Sequence, residues 1–458
     1  MRFLVRQTFP WLRDTAGGQI KGPNINVVAM PTASTSTLVS PERSHFRWTI
    51  CGLLFFATTL SYVDRQVLSL LANTLETSIG WTAVEYGHIT TAFSIAYGLG
   101  LLLAGRLLDK FGTRVGFAVA VGVWSAAAML HATATSAFTF GIARVLLGLG
   151  EAANFPACIK TVAEWYPKRE RGTATGLFNS GANIGAIGTI VLVPWLAGHY
   201  GWRGTFLLTG ALGFIWLAFW FFIYRQPEDH PKVSPEELTL IRSDSPEKVE
   251  QVPWRHVFPK RETWAFGLGK FLTDPVWWFY LFWLPKFLQD TYHLSLSDIM
   301  WPMLVVYNAS TVGSVAGGWM SGKLIGLGWS INAARKTTML VCALCVLPVL
   351  YVPYSASIWV VVAILSVATA AHQGWSATLF TTASDMFPRV ATGSVVGIGS
   401  AAGALGVALM TQAAGWIVTL TRSYFLLFMI SGVAYLVALG VFQLLSPRLE
   451  RTTLEAVS

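Results

Sequence analysis

Seven ionisable side chains lie deep inside long apolar stretches of this sequence. If those stretches cross a membrane, a charge at the bilayer centre costs at least about 2.5–3.5 kcal/mol on insertion scales, so these residues are functional candidates by default. The acidic residues among them could transfer protons, and the basic residues could bind an anion. The seven residues are Asp64, Arg65, Arg144, Glu151, Lys270, Asp274 and His372.

The first four of these residues form two pairs with different spacing. Asp64 and Arg65 are adjacent, so on a helix they point about 100° apart and are not a simple contact pair. Arg144 and Glu151 are two helical turns apart and share one face.

Arg144 is the candidate for binding a substrate carboxylate, because a guanidinium makes bidentate contacts that lysine cannot. Asp64 and Glu151 are then candidate proton carriers, and Arg65 either contacts the substrate or keeps Asp64 ionised. In the alternative, Arg144 neutralises Glu151 or Asp64 in a buried structural cluster, although apolar residues often replace such pairs with little loss.

Lys270 is a second candidate for a carboxylate or ring-oxygen contact. Asp274 lies four residues further on and could simply neutralise it. Both interpretations are open from the sequence.

The composition identifies the environment of these residues. Of 458 residues, 53% are hydrophobic and only 12% are charged, about half the charged share of an ordinary soluble domain. This excludes a soluble enzyme and a disordered or fibrous chain. The net charge of +9 does not indicate nucleic-acid binding, because most charges flank apolar runs. The cysteines also lie in apolar runs, and Cys342-x-x-Cys345 has no partner pair, so we expect no metal or cofactor.

The apolar runs predict an all-α integral membrane protein with twelve transmembrane helices in two six-helix pseudo-symmetric halves. We expect a cytoplasmic tail at 1–44, a first bundle at 45–224, a cytoplasmic linker at 225–263, a second bundle at 264–446 and a tail at 447–458. The predicted spans are 46–73, 86–108, 115–134, 138–165, 172–198, 204–224, 264–290, 299–323, 335–353, 357–386, 391–420 and 423–446.

Lysine and arginine crowd alternate connections, which places both termini in the cytoplasm. The first 44 residues contain arginines, many Ser and Thr and one early acid, Asp14. They resemble a transit peptide only faintly, and a disordered tail or a misassigned start is the preferred interpretation.

The two halves share a local pattern. Glu164-Trp165-Tyr166-Pro167 matches Asp385-Met386-Phe387-Pro388 at an offset of 221, which also carries Gly176 onto Gly397 and Gly185 onto Gly406. A parallel repeat of two six-helix halves is typical of transporters, with a substrate site between the halves.

The run from Gly105 to Arg114, GRLLDKFGTR, resembles the G-x-L-x-D-R-x-G-R-R loop of the major facilitator superfamily. In that family the loop is a conformational latch, which the resemblance assigns here to Gly105, Asp109, Gly112 and Arg114.

Ser61-Tyr62-Val63-Asp64-Arg65, Arg144-x6-Glu151 and the run from Glu164 to Arg171 resemble the anion:cation symporter family. Lys270–Tyr280 and Ala371–Ser376 resemble hexuronate transporters. The resemblance implies a monomeric, proton-coupled symporter that imports a sugar acid, such as glucuronate or galacturonate, across a bacterial inner membrane by alternating access. Its partners would be the anionic substrate, protons and the lipid bilayer, without nucleic acid. The alternative is a symporter for an aldonate, a dicarboxylate or an aromatic acid.

Other function classes find little support in the residues. A membrane haem enzyme requires paired intramembrane histidines, and only His372 lies near the middle of a predicted span. No Gly-rich phosphate loop with lysine follows a strand, so ATP-driven transport is not indicated.

Several polar residues of the spans could meet a sugar acid, although each could instead pack the bundle or bond between helices. His372, Gln373, Trp375 and Ser376 form a cluster in which Gln373 both donates and accepts, like a hydroxyl. The complete predicted substrate-binding set is Arg144, Arg65, Tyr62, Tyr97, Asn179, Lys270, His372, Gln373, Trp375 and Ser376.

Overall fold

The computed structural model describes residues 45–243 and 254–452, and within these ranges the regular structure is helical. The predicted N-terminal tail, the middle of the predicted linker and the last six residues lie outside the described residues. In the first half the helices are α1 Phe46–Leu70, α2 Ala72–Ile79, α3 Ala83–Leu130, α4 Ala137–Glu151, α5 Asn154–Trp165 and α6 Lys168–Ile223.

Two helices of the first half are too long for a single crossing. α3 has 48 residues and α6 has 56, whereas about 20 residues span a bilayer. Each contains one non-helical glycine, Gly112 (φ 75°, ψ 161°) and Gly201 (φ 67°, ψ 177°), a backbone conformation open mainly to glycine. Each helix therefore supplies two spans. The predicted loop between spans two and three is helical except at Gly112, which is a correction to the sequence analysis.

Span four is divided between α4 and α5. Pro156 has no N–H to continue the hydrogen-bond ladder, and α4 ends at Glu151 before α5 begins at Asn154. Glu151 therefore lies at an interruption near the middle of its span.

The second half begins after two short linker helices and holds six further spans. The first two of these spans are α9 (Arg261–Tyr292), which carries Lys270, Asp274, Lys286 and Asp290, and α10 (Met300–Gly326). Eight described helical segments are long and apolar enough to cross a membrane by themselves. With α3 and α6 counted twice and α9 and α10 added, the predicted twelve spans are confirmed. The elements are α7 Pro235–Ile241, α8 Trp254–Val257, α9 Arg261–Tyr292, α10 Met300–Gly326, α11 Ile331–Val346 with the 3₁₀ turns Leu347–Tyr354, α12 Ile358–Met386, α13 Arg389–Thr421 and α14 Phe425–Leu445.

Glycines on α6 and α13 allow equivalent helix contacts in the two halves. A Cβ on Gly185 of α6 would lie 2.9 Å from the Cβ of Tyr62 on α1. A Cβ on Gly406 of α13 would lie 3.0 Å from Cγ of Pro275 on α9. The sequence offset of 221 relates these two glycines, so the repeat is visible in the packing.

The halves contact each other at the end of the bundle opposite the linker. Asn73 of the first half donates to Asp290 of the second at 2.8 Å. Lys286 forms an ion pair with Glu76 across the interface and lies 3.2 Å from Asp290. The Tyr86 hydroxyl donates to the carbonyl oxygen of Phe282 at 2.6 Å. These polar bonds join the halves on that side.

The linker contacts the beginning of the first half. Arg47 of α1 pairs with Glu237 of α7 and with Glu170 of α6, each at 2.9 Å. The ring of His230 packs against the ring of Phe46 at a tilt, with centroids 4.1 Å apart. Burial lowers the pKa of His230 below 6.5, because the charged imidazolium loses hydration there.

Candidate functional site: a charged cavity between the two halves

A cavity of about 260 Å³ lies between the halves, with walls from α1, α6, α9, α10 and α12. Helices of both halves contribute side chains, so relative motion of the halves changes its shape. Seven of the ten predicted substrate-binding residues line it: Tyr62, Arg65, Asn179, Lys270, His372, Gln373 and Ser376.

Arg65 supplies the positive charge on the first-half wall. Its Nε and Nη2 donate to one oxygen of Glu151 at 2.9 and 2.7 Å, and both side chains are almost fully buried. Aromatic rings surround the guanidinium, with centroids 4.7 Å away at Tyr62, 4.8 Å at Tyr97 and 5.2 Å at Trp278. Cation–π attraction to these rings holds the charge at the cavity.

Asp64 and Arg144 lie within the first half rather than on the cavity wall. Both are nearly unexposed, at 2% and 1%, and neither carboxylate oxygen of Asp64 has a hydrogen-bond partner among the described residues. Arg144 donates one long bond, 3.4 Å, to the carbonyl oxygen of Arg65. As the spacing predicts, Asp64 and Arg65 point in different directions. The role of Arg144 as a carboxylate ligand stays a prediction, since another residue, Arg65, faces this cavity.

Lys270 supplies the positive charge on the second-half wall. Its Nζ lies 2.7 Å from a carboxylate oxygen of Asp274, one turn further along α9. The ammonium also lies 4.6 Å from the ring centroid of Phe380. Of the two interpretations of this pair, the structure shows the ion pair, and it shows both members lining the cavity.

His372 is held in place by two aromatic partners. Its Nδ1 lies 2.6 Å from the Tyr435 hydroxyl, and its ring stacks on Trp277 at 5.2 Å with nearly parallel planes. The other ring nitrogen, Nε2, is therefore the one available to a ligand.

Trp375 does not line the cavity. It is completely buried and packs edge-on against Tyr435 at 5.4 Å, so the expected flat surface for a sugar ring is not there in this conformation. Trp277 and Trp278 occupy the cavity wall instead.

An adjoining cavity of about 310 Å³ shares Tyr62, Lys270, Asp274 and Trp278 with the first. Tyr97, also predicted to contact substrate, lines this second space. The two spaces meet at the Lys270–Asp274 pair.

The predicted latch residues lie at the linker end of the bundle. Asp109 forms an ion pair with Lys160 of α5 at 2.6 Å, and Lys160 also donates to the carbonyl oxygen of Leu108. Arg114 donates to the carbonyl oxygen of Phe221 at 2.8 Å. Gly112 has the positive φ described above, and a Cβ on Gly105 would meet open space.

Several cavity residues were not predicted from the sequence. Trp277 lies seven residues after Lys270, on the same helical face, and this spacing could have identified it. Ser310 and Ser314 of α10 are also one turn apart and line the cavity. Serines with this spacing are too common to stand out in an apolar helix.

The charged side chains in and beside the cavity are equal in number for the two signs. Three cations, Arg65, Arg144 and Lys270, lie near three acids. The acids are Asp64, Glu151 and Asp274. With all six ionised, these side chains have no net charge. An anion that enters therefore adds one excess negative charge, unless a proton or another cation enters with it.

Comparison with known proteins agrees with this architecture. The family model described as Major Facilitator Superfamily matches residues 54–411. A galacturonate transporter of Dickeya chrysanthemi is 32% identical over 60% of this chain and 81% of its own length. A hexuronate transporter of Escherichia coli K12 is 30% identical over 75% of this chain and 81% of its own length.

Among solved structures, a D-xylose–proton symporter superposes with a TM-score of 0.71 at 15% identity, covering 89% of this chain and all of that one. This likeness concerns the fold. The matched family model, the twelve spans and the cavity between two similar halves lead to one conclusion: the chain belongs to the major facilitator superfamily of membrane transporters.

Proposed function

We propose that the protein is a proton-coupled symporter that imports a sugar acid, a hexuronate such as galacturonate or glucuronate, by alternating access. The observation that carries the proposal is the charge balance of the cavity. Entry of one anion leaves the six balanced side chains with one excess negative charge, and one proton removes it. An isolated buried charge is costly, so anion and proton are expected to bind together.

Asp64 and Glu151 are the proposed proton carriers. Asp64 is the better placed of the two in this conformation, because neither of its oxygens accepts a hydrogen bond from a described residue. Protonation removes the cost of burying its charge. Glu151 links this proton site to the cavity, because its bonds to Arg65 place it one side chain away from a bound anion.

Arg65 and Lys270 are the proposed partners of the substrate carboxylate, with Arg144 behind them as a countercharge for the acids. Hydroxyl groups of a sugar require donors and acceptors, and the walls present Asn179, Gln373 and Ser376. The similarity to named galacturonate and hexuronate transporters supports the same substrate class.

A sugar dicarboxylate is the second candidate substrate. The cavity has one cation on each wall, Arg65 from the first half and Lys270 from the second, which suits a ligand with two carboxylates. The two candidates differ in coupling, because a dianion requires two protons for charge balance.

The linker and both termini are proposed to be cytoplasmic, in the inner membrane of a bacterium. The rule that basic residues crowd cytoplasmic connections supports this orientation.

Uptake into proteoliposomes tests the proposal. Labelled galacturonate, glucuronate, galactonate and galactarate are offered with and without an inward pH gradient. We expect concentrative uptake of a hexuronate only with the gradient. Uptake of the same acid to equal levels without a gradient would refute proton coupling, and no uptake of any of the four acids would refute the substrate class.

A further inference from the structure

The cavity contains a carboxylate of its own in the position where a substrate carboxylate would bind. Asp274 lies 2.7 Å from Lys270 and lines both adjoining cavities. A carboxylate here is unexpected in a site that binds anions, because like charges repel at close range.

The two ion pairs of the cavity differ in how easily they can open. Glu151 has a fully buried side chain and accepts two bonds from Arg65. The side chain of Asp274 is 20% exposed and lies at a single ammonium. Opening the Lys270–Asp274 pair therefore costs less than opening the Arg65–Glu151 pair, because Asp274 is already partly exposed and has one cationic partner. Asp274 is the acid that an incoming anion can displace.

The surroundings of the pair hold the lysine and leave room for the acid. The Lys270 ammonium lies over the ring of Phe380 at 4.6 Å, an attraction that remains when the acid leaves. Asp274 packs over Gly403 of α13, where a Cβ would overlap the carboxylate and lie 3.2 Å from Cγ. Glycine at this position thus provides the space that the carboxylate occupies.

We propose that Asp274 is an internal competitor for the substrate: it occupies Lys270 while the cavity is empty and yields that position to the substrate carboxylate. This inference rests on the proposed function, and it assigns to Asp274 a role in setting the affinity for the substrate. When the substrate leaves, the ion pair forms again, so Lys270 is never left unpaired and release of the anion is favoured.

The test compares equilibrium binding by purified wild type with binding by Asp274→Asn, which keeps the shape and removes the charge. The ligands are labelled galacturonate, glucuronate, galactonate and galactarate, with galactose as an uncharged sugar. We expect the variant to bind the preferred acid about five-fold more tightly, as for a partly exposed ion pair worth about 1 kcal/mol. Its affinity for galactose should not change.

Asp385→Asn is the matched control. Asp385 pairs with Arg335 at 2.9 Å, and its side chain is also 20% exposed, at the linker end of α12. It should leave binding of the acids unchanged. Asp274→Ser provides a second variant if Asp274→Asn does not fold, with the same expected gain.

Unchanged or weaker binding of the acid by folded Asp274 variants would overturn the inference while leaving the proposed function intact. An equal gain for acid and galactose would also overturn it, because Asp274 would then only shape the cavity. If wild type prefers an acid other than a hexuronate and the variant binds it more tightly, the inference stands and the proposed substrate falls. If neither protein binds any of the four acids, both fail.

Discussion

Replacing the two buried acids of the first half should remove coupling while leaving exchange. The proposed movement of one singly charged anion with one proton carries no net charge. At equilibrium a gradient of one pH unit then sustains about tenfold accumulation, since one pH unit corresponds to about 1.4 kcal/mol per proton. The same charge balance predicts that a membrane potential adds nothing to this ratio.

The variants Asp64→Asn and Glu151→Gln keep side-chain size and remove one titratable group each. In proteoliposomes with an inward gradient of one pH unit, both should fall from about tenfold accumulation to none. Exchange of internal for external labelled hexuronate should persist in at least one of them. Asp385→Asn is the control, because its carboxylate pairs with Arg335 away from the cavity and a steady-state ratio does not depend on rate.

Three outcomes would contradict this reasoning. Wild-type accumulation in both variants would show that neither acid carries the proton. A wild-type ratio that rises with an imposed, inside-negative potential would show that more than one proton accompanies each anion. Loss of accumulation in Asp385→Asn would show that the effect is not specific to the buried acids.

Three further predictions concern recognition and the linker. Arg65→Lys keeps the charge but removes the planar guanidinium that can bind the substrate carboxylate with two bonds, so hexuronate affinity should fall by about 1.5–3 kcal/mol in binding assays. Arg144→Lys should lower hexuronate affinity by a smaller amount than Arg65→Lys does. A larger loss with Arg144→Lys would support Arg144, rather than Arg65, as the ligand of the substrate carboxylate. Gln373→Leu should weaken hexuronate uptake by about 1–3 kcal/mol more than uptake of a small monocarboxylate, because a hydroxyl loses its partner; equal losses would show that Gln373 only packs the bundle. Burial lowers the pKa of His230, so the folded linker favours the neutral ring, and its docking should weaken as pH falls below about 6.5. The protection of the α7 amides, measured relative to their intrinsic exchange rates at each pH, should then fall from pH 7 to pH 5 in wild type but not in His230→Phe, and pH-independent protection in wild type would contradict this.

Most of the twelve spans were predictable because they are long apolar runs, and their approximate boundaries followed from the charges that flank them. The continuity of α3 was not predictable. The polar run from Gly105 to Arg114 has the composition of a loop, yet a single glycine conformation at Gly112 is enough to turn the chain.

In the candidate site, contacts within one helix could be predicted from the sequence, whereas contacts between helices could not. The Lys270–Asp274 pair is local, and its spacing of four residues on one helix was sufficient to suggest it. The Arg65–Glu151 pair joins residues 86 positions apart, so it depends on how α1 and α4 are rotated in the packed bundle.

The choice between two arginines shows the same limit. Arg65 and Arg144 carry the same guanidinium, and sequence chemistry cannot tell which one faces the cavity. Close packing of α1 against Gly185 of α6 fixes the rotation of α1, and this rotation directs Arg65 to the cavity. Trp375 was assigned to the cavity from its polar neighbours, but its face of α12 packs on Tyr435.

The most direct test of the central claim is an experimentally determined structure of the protein with galacturonate bound. The account predicts the sugar acid in the cavity between the halves, with its carboxylate within hydrogen-bond distance of Lys270 or Arg65 and its hydroxyls near Gln373 and Asn179. A sugar acid bound elsewhere, or bound in this cavity with its carboxylate turned away from both cations, would contradict it.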